Sequence, residues 1–336
     1  MKSYNIAILG ATGAVGQEML KILEERKFPV GELHLLASAR SVGKKYTFMG
    51  KEYTVELASN EAFLGMDIVL GAASNSVAKE FAPAIVAAGA TLIDNSSAFR
   101  MDDNVPLIIP EINASDIKNN KGIISNPNCS TIITLVAINA INKLSTIKAM
   151  NACTYQATSG AGANGPIELE NQMEALLHGG EINPKVFQYQ ICNNVIPQIG
   201  SFLDNGYTTE EMKMQNEGRK ILHNKDLMVN CTCVRVPVVR SHSISVTLIT
   251  EDKLDLEEVK MAISSERGCR LYDDPDNKIY PMPLVTTDQD LVYVGRIRRD
   301  ILNPNGITLW CSGDQVRKGA ATNAVQIALA MCNLDY

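Results

Sequence analysis

Residues 6–9, Ile6-Ala7-Ile8-Leu9, form an unbroken apolar run, too short for a helix and closed by a glycine turn, which predicts a strand buried on both faces. After the turn the period changes: Val15, Met19, Ile22 and Leu23 share one face of a helix. A second strand is expected at 33–37, and short apolar runs predict more at 68–70, 92–94, 107–109 and 122–125. Helical or loop segments separate them, among them 77–88, where Pro83 predicts a kink or a restart. The alternation defines an α/β chain with a doubly wound, mostly parallel sheet. Gly10, Ser74, Asn95 and Asn126 fall at the carboxyl ends of its strands, where such sheets bind ligands.

From residue 129 the pattern is different. Residues 129–141 are nearly all apolar and read as a buried helix. In the strand expected at 148–158, Met150, Ala152, Thr154, Gln156 and Thr158 share one face and alternate with Cys153, Tyr155 and Ala157, so both faces are expected to be mostly covered. Thr208 with Glu211 fits a capping box that opens a helix running to about residue 222. Residues 229–249 are strand-like on both sides of Pro237, which removes a ladder donor and predicts a bend through 238–240. A last apolar-faced helix is expected at 319–331 and returns to the first domain. The expected organisation is a first domain of residues 1–127, joined by 315–336, and an α+β second domain, 128–314, with a mixed or antiparallel sheet.

Composition narrows the partners. With 336 residues, 46% apolar and 20% charged, the chain can build two cores. A net charge of -6, a pI near 5.4 and the lack of a Lys/Arg cluster argue against nucleic acid or an anionic membrane and for small molecules. No apolar stretch reaches membrane-spanning length, and the strand beginning at residue 5 leaves no room for a signal peptide, so a cytoplasmic location with the eight cysteines reduced is expected. Cys231 and Cys233 invite a zinc reading, but no second Cys or His pair lies at ligand spacing. On one face of an alternating strand they read as core, and no metal is expected.

The turn Gly10-Ala11-Thr12-Gly13-Ala14-Val15-Gly16 lies between a strand and a helix, spaced G-x-x-G-x-x-G rather than in the commonest form. There glycines let backbone approach a pyrophosphate, and the helix N-terminus offers N–H donors to its charge. Where NAD sites carry an acidic residue after the second strand, this chain has Ser38-Ala39-Arg40-Ser41. An arginine between hydroxyls suits a 2′-phosphate and predicts NADP; a solvated surface arginine is the plain alternative.

Cys129, in Ser125-Asn126-Pro127-Asn128-Cys129-Ser130-Thr131, is the leading candidate nucleophile. Pro127 disfavours a helical Asn126 and Asn128 is a good N-cap, so the thiol would face unpaired N–H groups that favour the thiolate. A small core cysteine fits that segment equally well. Arg235 and His242, seven positions apart, would point to opposite faces of a straight strand, and the bend at Pro237 can turn both to one pocket. The glycine-rich stretch 159–165 fits either a close approach to a nicotinamide or a flexible connector. Glu210 and Lys213 share a helix face, ordinarily as an exposed ion pair.

The combined pattern resembles the aspartate-semialdehyde dehydrogenases over nearly the whole chain. It is carried by Gly10 to Gly16, by Asn95-Ser96-Ser97-Ala98-Phe99-Arg100-Met101, by Ser125 to Thr131, and by the run from Val229 through Cys231, Cys233, Arg235, Pro237 and His242 to Ser243. The resemblance implies a Rossmann-type first domain and a catalytic second domain that forms homodimers. It implies that Cys129 is the acyl-thioester nucleophile, His242 the acid/base and Gln156 a substrate-positioning residue. Arg235 would hold the α-carboxylate, Glu210 the α-amino group, and Arg100, Lys213 and Asn128 the phosphate. Gly10, Thr12, Gly13, Ala14, Val15, Ser38, Arg40, Ser41, Ser159, Gly160 and Gln315 would contact NADP. The implied reaction is NADP-dependent reduction of L-aspartyl 4-phosphate to L-aspartate 4-semialdehyde with release of phosphate, on the way to lysine, threonine, methionine and isoleucine. N-acetylglutamyl-phosphate reductase is the nearest rival, and a noncatalytic NADP-binding paralogue the rival of another class. The acidic Glu210, suited to a free ammonium, favours the aspartyl substrate.

Overall fold

The protein is described by a computed structural model that covers residues 2–336. The chain divides into two compact units: residues up to Asn128 together with Ala320–Tyr336, and Cys129–Gly319.

The first unit is built on β1 (Tyr4–Leu9), β2 (Val30–Ala37), β3 (Lys45–Phe48), β4 (Lys51–Leu57), β5 (Ile68–Gly71), β6 (Thr91–Asp94) and β7 (Ile123–Ser125). Their order is β3-β4-β2-β1-β5-β6-β7, parallel throughout except for the β3/β4 pair at the edge. Strand β1 is apolar on both sides because both sides are covered. Ile6 and Ile8 pack with Met19, Ile22 and Leu23 of α1 (Ala14–Glu25), whereas Ala7 and Leu9 pack with Ile85 of α2 (Asn75–Ala87). Helix α2 runs on through Pro83 without a restart; the ring lies on the exposed side, so the carbonyl it frees is left to water.

Two differences from the sequence reading have local causes. The strand expected at 107–109 shrinks to a single bridge, Leu107 to Ser125. Asn113 takes the Ile109 N–H at 2.9 Å and donates to the Leu107 carbonyl at 2.9 Å, and Pro110 opens the short helix α3 (Pro110–Asn113), so the groups a ladder needs are already used. The β3/β4 hairpin was not foreseen. Its turn is Met49-Gly50, with φ of 49° and 75°, the two positive values that a tight hairpin turn requires.

The second unit carries β8 (Ile147–Gln156), β9 (Met228–Arg235), β10 (His242–Thr250), β11 (Cys269–Leu271), β12 (Val292–Arg299) and β13 (Gly306–Gly313), in the order β11-β12-β13-β10-β8-β9. The sheet is mixed: β8/β9 and β11/β12 are parallel and the other pairs antiparallel. Helices α4 (Cys129–Leu144), α5 (Asn164–His178), α6 (Thr209–Ile221), α7 (Leu256–Ser265) and the short α8 (Pro283–Thr286) complete it. Helix α4 is apolar nearly all round because it is buried nearly all round, from Ser130 to Ile141. The capping box at Thr208 is formed in full and starts α6.

Only one face of β8 is covered. Met150, Ala152, Thr154 and Gln156 are buried, but Asn151 is exposed and Tyr155 remains 37% exposed beside Trp310, with ring centroids 5.2 Å apart. The outer face bears an open depression lined by Asn151, Asn230 and Thr247 rather than a helix, which corrects the expectation that both faces are covered. Cys231 and Cys233 lie buried on the inner face, sulfurs 3.8 Å apart.

Helix α9 (Thr322–Met331) completes the first unit, its Val325, Ile327 and Ala328 joining the cluster formed by β1 and α1. Among the described residues no helix is long and apolar enough to cross a membrane.

Candidate active site

In the first unit the glycine turn is set by close backbone contacts. Gly10 has φ of 89°, and a Cβ there would lie 2.5 Å from the Ala72 carbonyl oxygen; at Gly16 it would lie 2.4 Å from the Gly10 oxygen. No larger residue fits either position. Gly10, Thr12, Gly13 and Ser38 line one cavity of about 390 Å³ with Leu57, Ala73 and Phe81. Ala14 and Val15 begin α1 at its edge. Arg40 and Ser41 form a single turn after β2, with Arg40 exposed and the Ser41 hydroxyl 3.3 Å from that of Thr12. Arg100 is buried at the strand ends, its Nε donating to the Asn126 carbonyl and its Nη2 to that of Asn95, each at 2.9 Å. Asn128, also buried, precedes the first residue of α4.

In the second unit six of the sequence-selected residues converge. Cys129 is the first residue of α4 and half-buried, with Sγ 3.5 Å from His242 Nε2. His242 opens β10 after the expected bend: β9 ends at Arg235, and Ser241 takes φ of 74° to turn the chain. Residue Ala157 then ties both side chains down. Its N–H donates to His242 Nδ1 at 3.0 Å and its carbonyl accepts from Arg235 Nη1 at 2.7 Å. With Nδ1 accepting, the neutral ring carries its hydrogen on Nε2, the nitrogen that faces the sulfur.

Arg235 is only 6% exposed, yet among the described residues its side chain uses one N–H, to Ala157. A guanidinium has five. Burial lowers its pKa, partly offset by the nearby Cys129 and Glu210. Gln156 is oriented from both ends, accepting from the Thr154 hydroxyl at 3.0 Å and donating to Glu210 at 3.2 Å. Glu210 also receives Lys213 Nζ at 2.7 Å. This pair is not the exposed one that its spacing ordinarily indicates, since Glu210 is buried. Ser159 and Gln315 are hydrogen-bonded to each other, and Gln315 accepts from the Ser241 N–H, which braces the turn before His242. Arg240 and Asp314 brace the same turn at 2.7 Å.

Three close approaches were not assigned from the sequence. Ala157 acts through its backbone, which residue type does not reveal. Gly319 places backbone so near that a Cβ would lie 3.0 Å from that of Cys129. At Gly160 a Cβ would meet Arg235 Nη1 at 2.8 Å and the His242 ring at 3.0 Å. The glycine content of 159–165 hinted at the last of these.

His242 is fully buried, and its pKa is lowered to about 3, first by burial and then by Arg235, with Glu210 acting the other way. An unfolded chain takes up this proton below about pH 6.5, whereas the folded chain does so only near 3. The stability His242 contributes is therefore complete above 6.5 and falls as pH drops toward 3, by at most about 1.4 kcal/mol per pH unit. Denaturant unfolding at pH 7 and pH 4.5 should show His242→Gln losing about 2 kcal/mol less than the parent across that interval. Equal losses would mean an ordinary histidine.

Residues 5–120 match the family described as semialdehyde dehydrogenase, NAD binding domain, and residues 138–318 match semialdehyde dehydrogenase, dimerisation domain. Fold and site thus define a two-domain semialdehyde dehydrogenase. The chain is 49% identical to the aspartate-semialdehyde dehydrogenase of Aquifex aeolicus over 97% of both chains, and 47% identical to that of Bacillus subtilis over 99% of both. It superposes with a TM-score of 0.97, at 45% identity and over the full length of both chains, on aspartate semialdehyde dehydrogenase II from Vibrio cholerae, a crystal structure described as complexed with ASA. The chain belongs to the aspartate-semialdehyde dehydrogenase family, and that is its enzymatic activity.

Proposed function

We propose that the enzyme uses NADP to interconvert L-aspartyl 4-phosphate with L-aspartate 4-semialdehyde and phosphate, through a thioester on Cys129. The observation that carries this reading is the 3.5 Å contact between the Cys129 sulfur and His242, beside a buried guanidinium with N–H groups to spare. Arg235 grips the substrate α-carboxylate in the planar, two-pronged manner a guanidinium favours. Glu210, set by Gln156 and Lys213, receives the α-amino group. The carbon to be attacked is thereby held still over the sulfur.

Cys129 attacks the acyl carbon, the carbon–oxygen bond to phosphate breaks, and the thioester forms. Arg100, Lys213 and Asn128 serve the phosphoryl group with charge and hydrogen bonds. NADP, when bound, supplies the hydride chemistry. His242, with its hydrogen on Nε2, donates a hydrogen bond to the oxyanion that forms on the substrate oxygen, and that oxyanion collapses to the aldehyde as the Cys129 thiolate leaves. In the oxidative direction the same Nε2–H steadies the oxyanion formed when the Cys129 thiolate adds to the aldehyde.

The first unit fits the dinucleotide by the backbone cradle at Gly10 and Gly16, with Thr12, Gly13, Ala14 and Val15 at the helix start. Ser38, Arg40 and Ser41 would hold a 2′-phosphate, and Ser159, Gly160 and Gln315 the nicotinamide end. The uncovered outer sheet face and the dimerisation-domain match support a homodimer. All eight cysteines are free thiols, which supports a reducing cytoplasm; membership of the aspartate-semialdehyde dehydrogenase family supports a place in lysine, threonine, methionine and isoleucine synthesis.

The test is phosphate-dependent reduction of NADP with aspartate semialdehyde, run beside NAD and beside N-acetylglutamate semialdehyde. NADP with the aspartyl substrate should be the fastest combination by at least about 100-fold over the acylated one, because an acylated nitrogen carries no charge to meet Glu210 and its acyl group and longer chain must fit the same pocket. Faster turnover of the N-acetylglutamyl substrate would overturn the assignment.

A further inference from the structure

Between α5 and α6 the chain runs through a long irregular segment, residues 179–207, whose middle is tied down at three places. The buried Glu168 carboxylate accepts the N–H groups of Lys185, Val186 and Phe187 at 2.8, 2.6 and 3.3 Å. Gln172 Oε1 accepts those of Ile191 and Cys192 at 2.8 and 3.0 Å. Ile196 then pairs with the backbone of Arg235 itself, through two hydrogen bonds of 2.9 Å. So anchored, the segment turns Phe187 into a small core with Leu169, Ile191 and Ile196, and brings its ring centroid to 5.8 Å from the Arg235 guanidinium carbon.

We infer that residues 185–196 form a strap that sets the aim and the selectivity of Arg235, with Phe187 and Glu168 as its positioning residues. The inference rests on the reading of Arg235 as the carboxylate-binding group. An aromatic face attracts the cation but accepts none of its in-plane hydrogen bonds. The ring therefore steadies the guanidinium and keeps water from one side while leaving its free N–H groups to the substrate. A carboxylate in that place would have consumed them. Glu168 acts one step further back, because three backbone donors on one carboxylate hold the residue that carries the ring.

The test compares L-aspartate 4-semialdehyde with 3-aminopropanal, which lacks the α-carboxylate, using the full-length enzyme with NADP and phosphate. Phe187→Leu, which keeps an apolar filler, should raise KM for aspartate semialdehyde about tenfold with kcat within about threefold, and leave kcat/KM for 3-aminopropanal unchanged. Glu168→Gln should shift the same preference in the same direction, and Phe187→Tyr, which retains a ring, should restore it. Equal losses on both substrates, or no loss on either, would overturn the strap. Arg235→Ala provides the separation: it should erase the preference for the carboxylated substrate altogether. If it does and Phe187→Leu leaves the preference intact, the strap alone fails; if it does not, the carboxylate role of Arg235 fails first.

Discussion

Cys129→Ser is expected to lower turnover of aspartate semialdehyde by on the order of 10⁴-fold or more while leaving the fold intact. The hydroxyl is nearly the same size at the start of α4, so the packing around Ser130 and Asn128 has little reason to change. What is lost is chemistry. An alcohol is not ionised near neutral pH, and an oxygen ester is a much poorer hydride acceptor than a thioester. His242 cannot make up the difference, since its buried ring, held neutral by burial and by Arg235, has little appetite for a proton from serine. Mass spectrometry of the parent incubated with substrate should find an acyl adduct on the peptide containing Cys129, and none in the variant. An adduct on any other cysteine would move the nucleophile elsewhere.

Gly160→Ala is expected to cut kcat/KM by about 100-fold, with a loss of stability of about 1 kcal/mol beside it. Gly160 is exposed and its φ is not in the left-handed region, so alanine suits the backbone itself. The added methyl, however, would stand 2.8 Å from Arg235 Nη1 and 3.0 Å from the His242 ring. Neither neighbour can yield independently, because Ala157 holds the imidazole through its N–H and the guanidinium through its carbonyl. Both groups move, and displacements of this size in a positioned site are costly to catalysis. Thermal unfolding and steady-state kinetics on the same preparation check the prediction. A variant with parent-like kinetics would mean that the two side chains have more freedom than their hydrogen bonds indicate.

How much of this was legible beforehand varies from residue to residue. The dinucleotide turn, the capping box at Thr208 and the break at Pro237 could be read directly, since each depends on the conformational preferences of a few consecutive residues. The burial of β1 on both sides was equally plain from its unbroken apolar run, and that of α4 from a run that only Ser130, Thr131, Thr134 and Asn139 interrupt before Ile141. Other elements escaped for physical reasons. The β3/β4 hairpin alternates with charged residues at an exposed edge, and its Met49-Gly50 turn lacks the usual Asn or Asp. The segment at 107–109 has the apolar run of a strand, but Asn113 takes the hydrogen bonds a ladder would use.

The amino-acid sequence by itself determined the two architectures, the glycine turn and the short roster of reactive side chains, because local propensity and hydrophobic period are properties of neighbours along the chain. Only the tertiary structure decided that the Ala157 backbone orients His242 and Arg235 together, that Gly160 and Gly319 must be small, and that Phe187 covers the guanidinium. Those contacts join residues far apart in sequence, and each depends on distances of a few tenths of an ångström that no single residue type encodes; they exist only once the strands β8, β9 and β10 have paired and packed.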